Sequence, residues 1–174
     1  TLLDAGNITS SDFSGDDIAT GKMPDIEGYQ LLRRIGAGGM GIVYEAIELS
    51  LQRKVAIKGL SAQLRPNSRV RVRFENEATA AGRLNHPNIL PVYKIGESAG
   101  LMFYVMPYVD GQTLSEIAAL PDNDRSYSSI ATIVYQTALA LDHAHESGIF
   151  HRDVKPSNIM LDRHGHVWLL DFGL

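Results

Sequence analysis

Four glycines fall within six residues, at Gly36, Gly38, Gly39 and Gly41. Glycine removes both the side chain and the φ restriction, so such a run lets the backbone pass very close to a ligand, and the ligand class this suits is a phosphate chain. Three phosphate-binding devices compete for these residues. A P-loop, G-x-x-x-x-G-K-[ST], is met by the spacing of Gly36 and Gly41, but Ile42 and Val43 stand where Lys and Ser/Thr are required. The dinucleotide fingerprint G-x-G-x-x-G is met by Gly36, Gly38 and Gly41, but it needs a helix N-terminus at the glycines and an acidic residue about 20 positions on. Here the glycines are followed by Ile42-Val43-Tyr44-Glu45-Ala46-Ile47, strand-forming and without a capping residue, and the region downstream reads Val55-Ala56-Ile57-Lys58. The third device is a hairpin of strand, glycine turn and strand, laid over phosphates as a flap. By itself the motif also fits a plain turn.

Lys58 ends a short apolar strand and by itself reads as a solvated surface residue. Its prospective partner lies on the next element. From Ser68 to Leu84 the residues Val70, Phe74, Ala78 and Ala81 mark an amphipathic helix. At about 100° per residue Glu77 falls within ~40° of the centre of that apolar stripe, whereas Glu75 lies ~120° away. A carboxylate on a buried face needs a cation. Nearby arginines are one source, and Lys58 on a neighbouring strand is the more economical one. A lysine held by a glutamate is fixed in position as a phosphate ligand.

The elements that position these groups follow from pattern and punctuation. Leu101 to Met106 is an apolar run without helical period, and Pro107-Tyr108-Val109-Asp110-Gly111 then stops strand pairing. Thr113 to Glu116 is a capping box that opens a new helix, so the stretch between is a connector of two halves. Ile130, Val134, Ala138, Leu141 and His145 mark a long amphipathic helix, with Gly148 placed for a left-handed C-terminal cap. His143 and His145, and likewise His164 and His166, do not make a metal site: the first pair points to different helix faces and no third ligand has suitable spacing.

Composition bounds the rest. The 174 residues are 44% hydrophobic and 21% charged, a soluble globular balance. Zero cysteines exclude disulfides, thiolate metal sites and cysteine catalysis. The net charge of −4 sits wholly in residues 1–25, where Asp4, Asp12, Asp16, Asp17 and Asp25 face Lys22 alone. That Ser-, Thr-, Gly- and Asp-rich leader reads as a flexible tether. The neutral remainder gives no argument for nucleic acid, and Arg65, Arg69, Arg71 and Arg73 read as a solvated face rather than a docking site. No signal peptide is visible. The best candidate for a membrane span, Ser126 to Leu141, falls short of about 20 residues and is rich in Ser and Thr.

Two further stretches complete the pattern: His151-Arg152-Asp153-Val154-Lys155-Pro156-Ser157-Asn158, and Asp171-Phe172-Gly173 after a short hairpin turned at Arg163-His164-Gly165. With Gly36 to Val43 and Val55 to Lys58 they reproduce, in order, G-x-G-x-x-G-x-V, V-A-I-K, H-R-D-L-x-x-x-N and D-F-G. From Ile26 to Leu174 the chain therefore resembles the catalytic domain of protein kinases. The resemblance implies an α+β, kinase-like bilobal fold: residues 26–106 form an antiparallel sheet lobe with one regulatory helix, 107–112 a hinge, and 113–174 the beginning of a mainly helical lobe. It implies ATP and Mg²⁺ as cofactors and Ser or Thr of a protein as phosphoryl acceptor, because H-R-D-x-K-P-x-N is similar to serine/threonine-directed members. The sequence style is similar to bacterial members.

The resemblance also implies roles. Gly36, Gly38, Gly39 and Gly41 cover the nucleotide, Lys58 orients the α- and β-phosphates, and Glu77 orients Lys58. Asp171 and Asn158 hold Mg²⁺, Asp153 accepts the proton of the substrate hydroxyl or aligns it, and Lys155 faces the γ-phosphate. Val43, Ala56 and Met160 sandwich the adenine, Met106 is the gatekeeper, and Pro107 C=O and Val109 N–H meet the base. Pro107 stands where many relatives have Glu, a change the C=O contact tolerates, and Val154 replaces a Leu. Arg152 implies activation by phosphorylation of a loop beyond Leu174.

A pseudokinase, or a scaffold acting through the acidic leader, are the competing readings. Both ends look cut from a longer protein, since Thr1 is not an initiator and Leu174 follows Gly173 directly. The isolated 174 residues are expected to be catalytically silent and prone to associate, with at best a folded unit from Ile26 to about Tyr108. A catalytic domain of this kind is expected in the cytoplasm, with a membrane anchor outside the segment left open.

Overall fold

The computed structural model describes residues 23–37, 41–60, 68–120 and 127–172. Five strands, β1 (Tyr29–Ala37), β2 (Gly41–Glu48), β3 (Arg53–Leu60), β4 (Lys94–Ser98) and β5 (Leu101–Pro107), form one antiparallel sheet in the order β1-β2-β3-β5-β4. Helix α1 (Ser68–Arg83) lies between β3 and β4 in the chain. A second sheet, in the order β6-β7-β8, pairs β6 (Gly111–Thr113), β7 (Ile159–Asp162) and β8 (Val167–Leu169) beside the short α2 (Leu114–Ala118) and the long α3 (Tyr127–Glu146).

The twofold alternation of a strand sends neighbouring side chains to opposite faces, and this divides the first sheet's core. Val55 and Ile57 of β3 join Leu101, Phe103 and Val105 of β5 and Tyr29 and Ala46 on one face. Leu60, Met102 and Tyr104 take the other face, beneath Phe74 and Ala78 of α1. Lys58 shares parity with Leu60 and so stands on the α1 face. The strand carrying it continues two residues further than the sequence indicates, so the lysine is an interior strand residue and not a terminal one.

The punctuation residues act as expected. Thr113 Oγ1 accepts from Glu116 N while Glu116 Oε2 accepts from Thr113 N, a complete capping box. Gly148, at φ +72°, ends α3: its N–H reaches His145 O, and Ile149 N–H reaches Ala144 O, both at 2.9 Å. These are the two bonds of a Schellman cap.

The apolar stripe that marks α3 is left largely uncovered. The helix is present, but Ile130, Val134 and Ala138 of the stripe that marks it are exposed, as is His145. The buried face is the neighbouring one, Thr137, Ala140 and Ala144 with half-buried Ile133, packed against Val167 and Leu169 of β8. Small alanines permit the close approach to the sheet that the larger side chains would obstruct. Ile130, Val134, Tyr135 and Leu139 are consequently left as an exposed apolar surface. Burial of each large apolar side chain is worth about 1.5 to 3 kcal/mol, so this surface drives association. The 174-residue chain is expected to elute from gel filtration above its monomer mass, and Val134→Asp to shift it toward the monomer. A monomeric parent chain would contradict this.

Candidate active site

Lys58 is buried between two carboxylates. Its Nζ donates to Glu77 Oε1 at 2.6 Å and to Asp171 Oδ1 at 2.8 Å. The Lys58 and Glu77 side chains are 9% and 3% exposed, that of Asp171 42%. Glu77 thus takes the lysine and not one of the arginines, and Arg71 is engaged elsewhere, with Glu97 at 2.8 Å and Glu75 at 3.5 Å. Burial pulls the Lys58 ammonium down, but Asp171 and Glu77 together hold it above the ordinary lysine value. Burial pushes the Glu77 carboxyl above its ordinary value, with Lys58 opposing and Asp171 adding to the rise.

A second group forms around the loop after α3. Asp153 accepts from Lys155 Nζ at 2.7 Å and from Asn158 Nδ2 at 3.1 Å, both at Oδ2, and the same Asn158 Nδ2 also donates to Asp153 O at 2.9 Å. The Lys155 ammonium holds the exposed Asp153 carboxyl below its usual range. Asn158 directs its amide hydrogens to Asp153, so its Oδ1 remains as a ligand atom. His151 is buried, and burial holds its imidazole below the usual value. Its Nε2 meets Leu170 O at 2.9 Å and its Nδ1 lies 3.3 Å from Asp153 N, a pattern that a neutral ring protonated at Nε2 satisfies completely. His151 therefore ties the Asp153 loop to the strand end that carries Asp171, and its ring packs on Phe172 at 4.8 Å.

Two of the four described non-glycine residues with positive φ lie at the site. Arg152 has φ +60° and Asp171 φ +49°, left-handed values that cost an ordinary residue on the order of 1 to 3 kcal/mol. Each adjoins a buried ring, His151 and Phe172 respectively.

The arrangement comprises a cation held by a carboxylate, a second carboxylate facing it, and a third carboxylate with a lysine and an asparagine beside it. It supplies charge and oxygen ligands but no covalent nucleophile, which is the requirement of phosphoryl transfer. The protein kinase domain family matches residues 29–174. The chain belongs to the protein kinase family. It is 43% identical over 146 residues to serine/threonine-protein kinase PknD of Mycobacterium tuberculosis (strain CDC 1551 / Oshkosh), covering 84% of this chain and 22% of that protein. It is 40% identical over 146 residues to serine/threonine-protein kinase PrkC of Bacillus subtilis (strain 168), with the same shares covered. Among solved structures, the Mycobacterium tuberculosis PknI kinase domain matches with TM-score 0.72 and 35% identity over 86% of this chain and 61% of that one. PpkA-294 in its apo form matches with TM-score 0.78 and 25% identity over 94% of this chain and 62% of that one. The fold is the α+β, kinase-like bilobal one, and the chain spans about a fifth of the length of the curated relatives it matches.

Kinases of this family use ATP and Mg²⁺, and the remaining site residues expected from the sequence lie as follows. Val43 pairs with Lys58 and Ala56 with Met106 across the sheet, so these four share one neighbourhood. Met160 lies on β7 opposite Thr113 and Trp168. Pro107 ends β5 opposite Val55, and Val109 is half-buried in the connector. Gly38 and Gly39 lie outside the described residues. Gly41 has a structural duty of its own: a Cβ there would fall 2.4 Å from Gly59 O, so the β2–β3 approach alone requires glycine. Gly36 has room for a Cβ, 3.8 Å from that of Val43. Pro107 and Val109 also border a surface cavity of about 530 Å³ with Tyr108, Asp110, Arg163 and Trp168, and neither Lys58 nor Asp171 reaches it. Sequence reasoning missed Tyr104, whose hydroxyl donates to Glu77 Oε1 at 2.7 Å. Only the β3–β5 register, which sets it opposite Lys58, reveals this contact.

Proposed function

We propose that this chain, as part of a complete kinase domain, binds Mg·ATP and directs transfer of the γ-phosphoryl group to Ser or Thr hydroxyls of protein substrates. The observation that carries this reading is the fixed Lys58, held by Glu77 and facing Asp171, with Asp153, Lys155 and Asn158 assembled beside them. The donor set fits the cofactors. Asp171, whose Oδ1 receives Lys58, and the Oδ1 of Asn158 are the hard oxygen ligands that Mg²⁺ prefers. Lys58 is a point charge suited to the α- and β-phosphates.

Mg·ATP supplies the phosphoryl group and neutralises its charge. Asp153, kept ionised by Lys155, orients the acceptor hydroxyl and takes its proton as the oxygen–phosphorus bond forms. Lys155 offsets charge on the transferred group. Gly36 to Gly41, Val43, Ala56, Met106 and Met160 enclose the nucleotide, and Pro107 C=O and Val109 N–H meet the base. In this reading residues 26–106 are the nucleotide-covering lobe, 107–112 the hinge and 113–174 the start of the catalytic lobe. Among the described residues no helix is long and apolar enough to cross a membrane, and we place the catalytic domain in the cytoplasm.

The test is to incubate the full-length protein with Mg·[γ-³²P]ATP and a generic protein acceptor and to analyse the labelled amino acids. Phosphoserine and phosphothreonine are expected, and Asp171→Asn should abolish them. Nucleotide binding without any transfer would instead favour the pseudokinase reading.

A further inference from the structure

Glu77 is held by more than its lysine. Both donors it receives, Lys58 Nζ at 2.6 Å and the Tyr104 hydroxyl at 2.7 Å, converge on Oε1. Its Oε2 is buried and has no hydrogen-bond partner. A buried carboxylate with one bare oxygen depends on both donors to the other, because each lost bond leaves desolvation uncompensated.

Tyr104 is built to serve as that second donor. It lies directly opposite Lys58 in the β3–β5 register, with the Lys58 ammonium 5.6 Å from its ring centroid. The residue is 3% exposed, and its ring packs on Phe74 of α1 at 5.1 Å. Burial, reinforced by Asp171 and Glu77, holds the phenol well above its usual value, so it remains a neutral donor. Its single proton has two acceptors within reach, Glu77 Oε1 at 2.7 Å and Asp171 Oδ1 at 3.4 Å, and the shorter distance decides for Glu77. Lys58, by contrast, divides its protons between Glu77 and Asp171.

We propose that Tyr104 is a positioning residue: its hydroxyl fixes the Glu77 carboxylate against β5, and through Glu77 it keeps Lys58 directed at the phosphate site. This rests on the kinase reading above. None of the four motifs includes this position, and phenylalanine there would preserve the packing on Phe74 while deleting only the donor.

The test is Tyr104→Phe in the full-length protein, with Tyr29→Phe as the control, a buried tyrosine in the core on the opposite face of the sheet. Two measurements separate position from stability. The first is the rate of reductive methylation of Lys58 in nucleotide-free protein, read by mass spectrometry. The second is kcat/KM for ATP beside KM for the protein substrate. In Tyr104→Phe, methylation of Lys58 should rise and kcat/KM for ATP should fall, each roughly 10-fold, the loss associated with one hydrogen bond to a charged group. KM for the protein substrate should not change, and Tyr29→Phe should match the parent in both measurements. An unchanged methylation rate overturns the proposal, and so does faster methylation with kcat/KM for ATP intact. Faster methylation in Tyr104→Phe, where the parent protein transfers no phosphate, would overturn the kinase reading and leave the Tyr104–Glu77 coupling standing.

Discussion

Asp153→Asn, in the full-length protein, is expected to lower kcat by roughly 10² to 10⁴ while leaving nucleotide affinity nearly unchanged. The substitution keeps the size and shape of the side chain, and the bond from Asn158 Nδ2 to the main-chain oxygen of residue 153 persists. What is lost is the negative charge paired with Lys155 at 2.7 Å, and with it the proton acceptor proposed for the substrate hydroxyl. The side chain bonds to Lys155 and Asn158 and not to Lys58, so the lysine proposed to hold the phosphates is untouched by the substitution. Single-turnover kinetics beside nucleotide titration checks the split, and equal turnover in the variant would remove Asp153 from the mechanism.

Lys58→Met is the second large effect, and it falls on stability as well as on nucleotide binding. Removing the one cation between Glu77 and Asp171 leaves a buried carboxylate uncompensated, a loss on the order of 3 kcal/mol. The penalty depends on pH with a definite sign. Burial already raises the folded-state value of Glu77 above its ordinary one, and Lys58 is the main opposing influence. Without Lys58 the folded value climbs further while the unfolded value stays put. A carboxyl raised in the folded state contributes stability below its unfolded value and loses it as pH rises toward the folded one. Urea denaturation should therefore show a larger deficit for the variant at pH 8 than at pH 5. An equal deficit at both would show that Glu77 does not titrate in this way.

The pairing of Lys58 with Glu77 was legible in sequence because two independent periodicities intersect there, the parity of a strand and the 3.6-residue turn of a helix. Asp153, Asn158 and Asp171 were legible only as members of a family motif, since no local period brings residues of this separation together. Tyr104 was not legible: within Leu101 to Met106 a tyrosine is an ordinary strand former, and only the register opposite Lys58 turns its hydroxyl into a donor for Glu77. Helix α3 was legible from its apolar stripe, but the face it turns to β8 was not. Periodicity weights large apolar residues, but the surface that packs on β8 was selected for smallness, at Ala140 and Ala144. The antiparallel pairing of β1 and β2 on either side of the glycine run was legible, while the reason for Gly41 lies in Gly59, 18 residues away, and is invisible to local pattern.

The segment after α1 belongs mechanically to the second sheet. Leu84 and Ile89 pack with Ala140, Val167 and Leu169, and two main-chain bonds, Leu90 N to Leu169 O at 3.0 Å and Leu169 N to Asn88 O at 2.8 Å, rivet the strand-like stretch to β8. Helix α1 is thus a lever whose fulcrum is Leu84. Glu77 lies about 10 Å along the axis from that fulcrum and the helix start about 24 Å, at 1.5 Å per residue. A tilt of about 10° would carry Glu77 about 2 Å and the start of the helix about 4 Å. The Lys58 contact, 2.6 Å long, does not survive the first displacement. A tilt of α1 about Leu84 would therefore break the Lys58–Glu77 pair, and it is resisted at the other end of the helix by Arg71 on Glu97 and by buried Phe74.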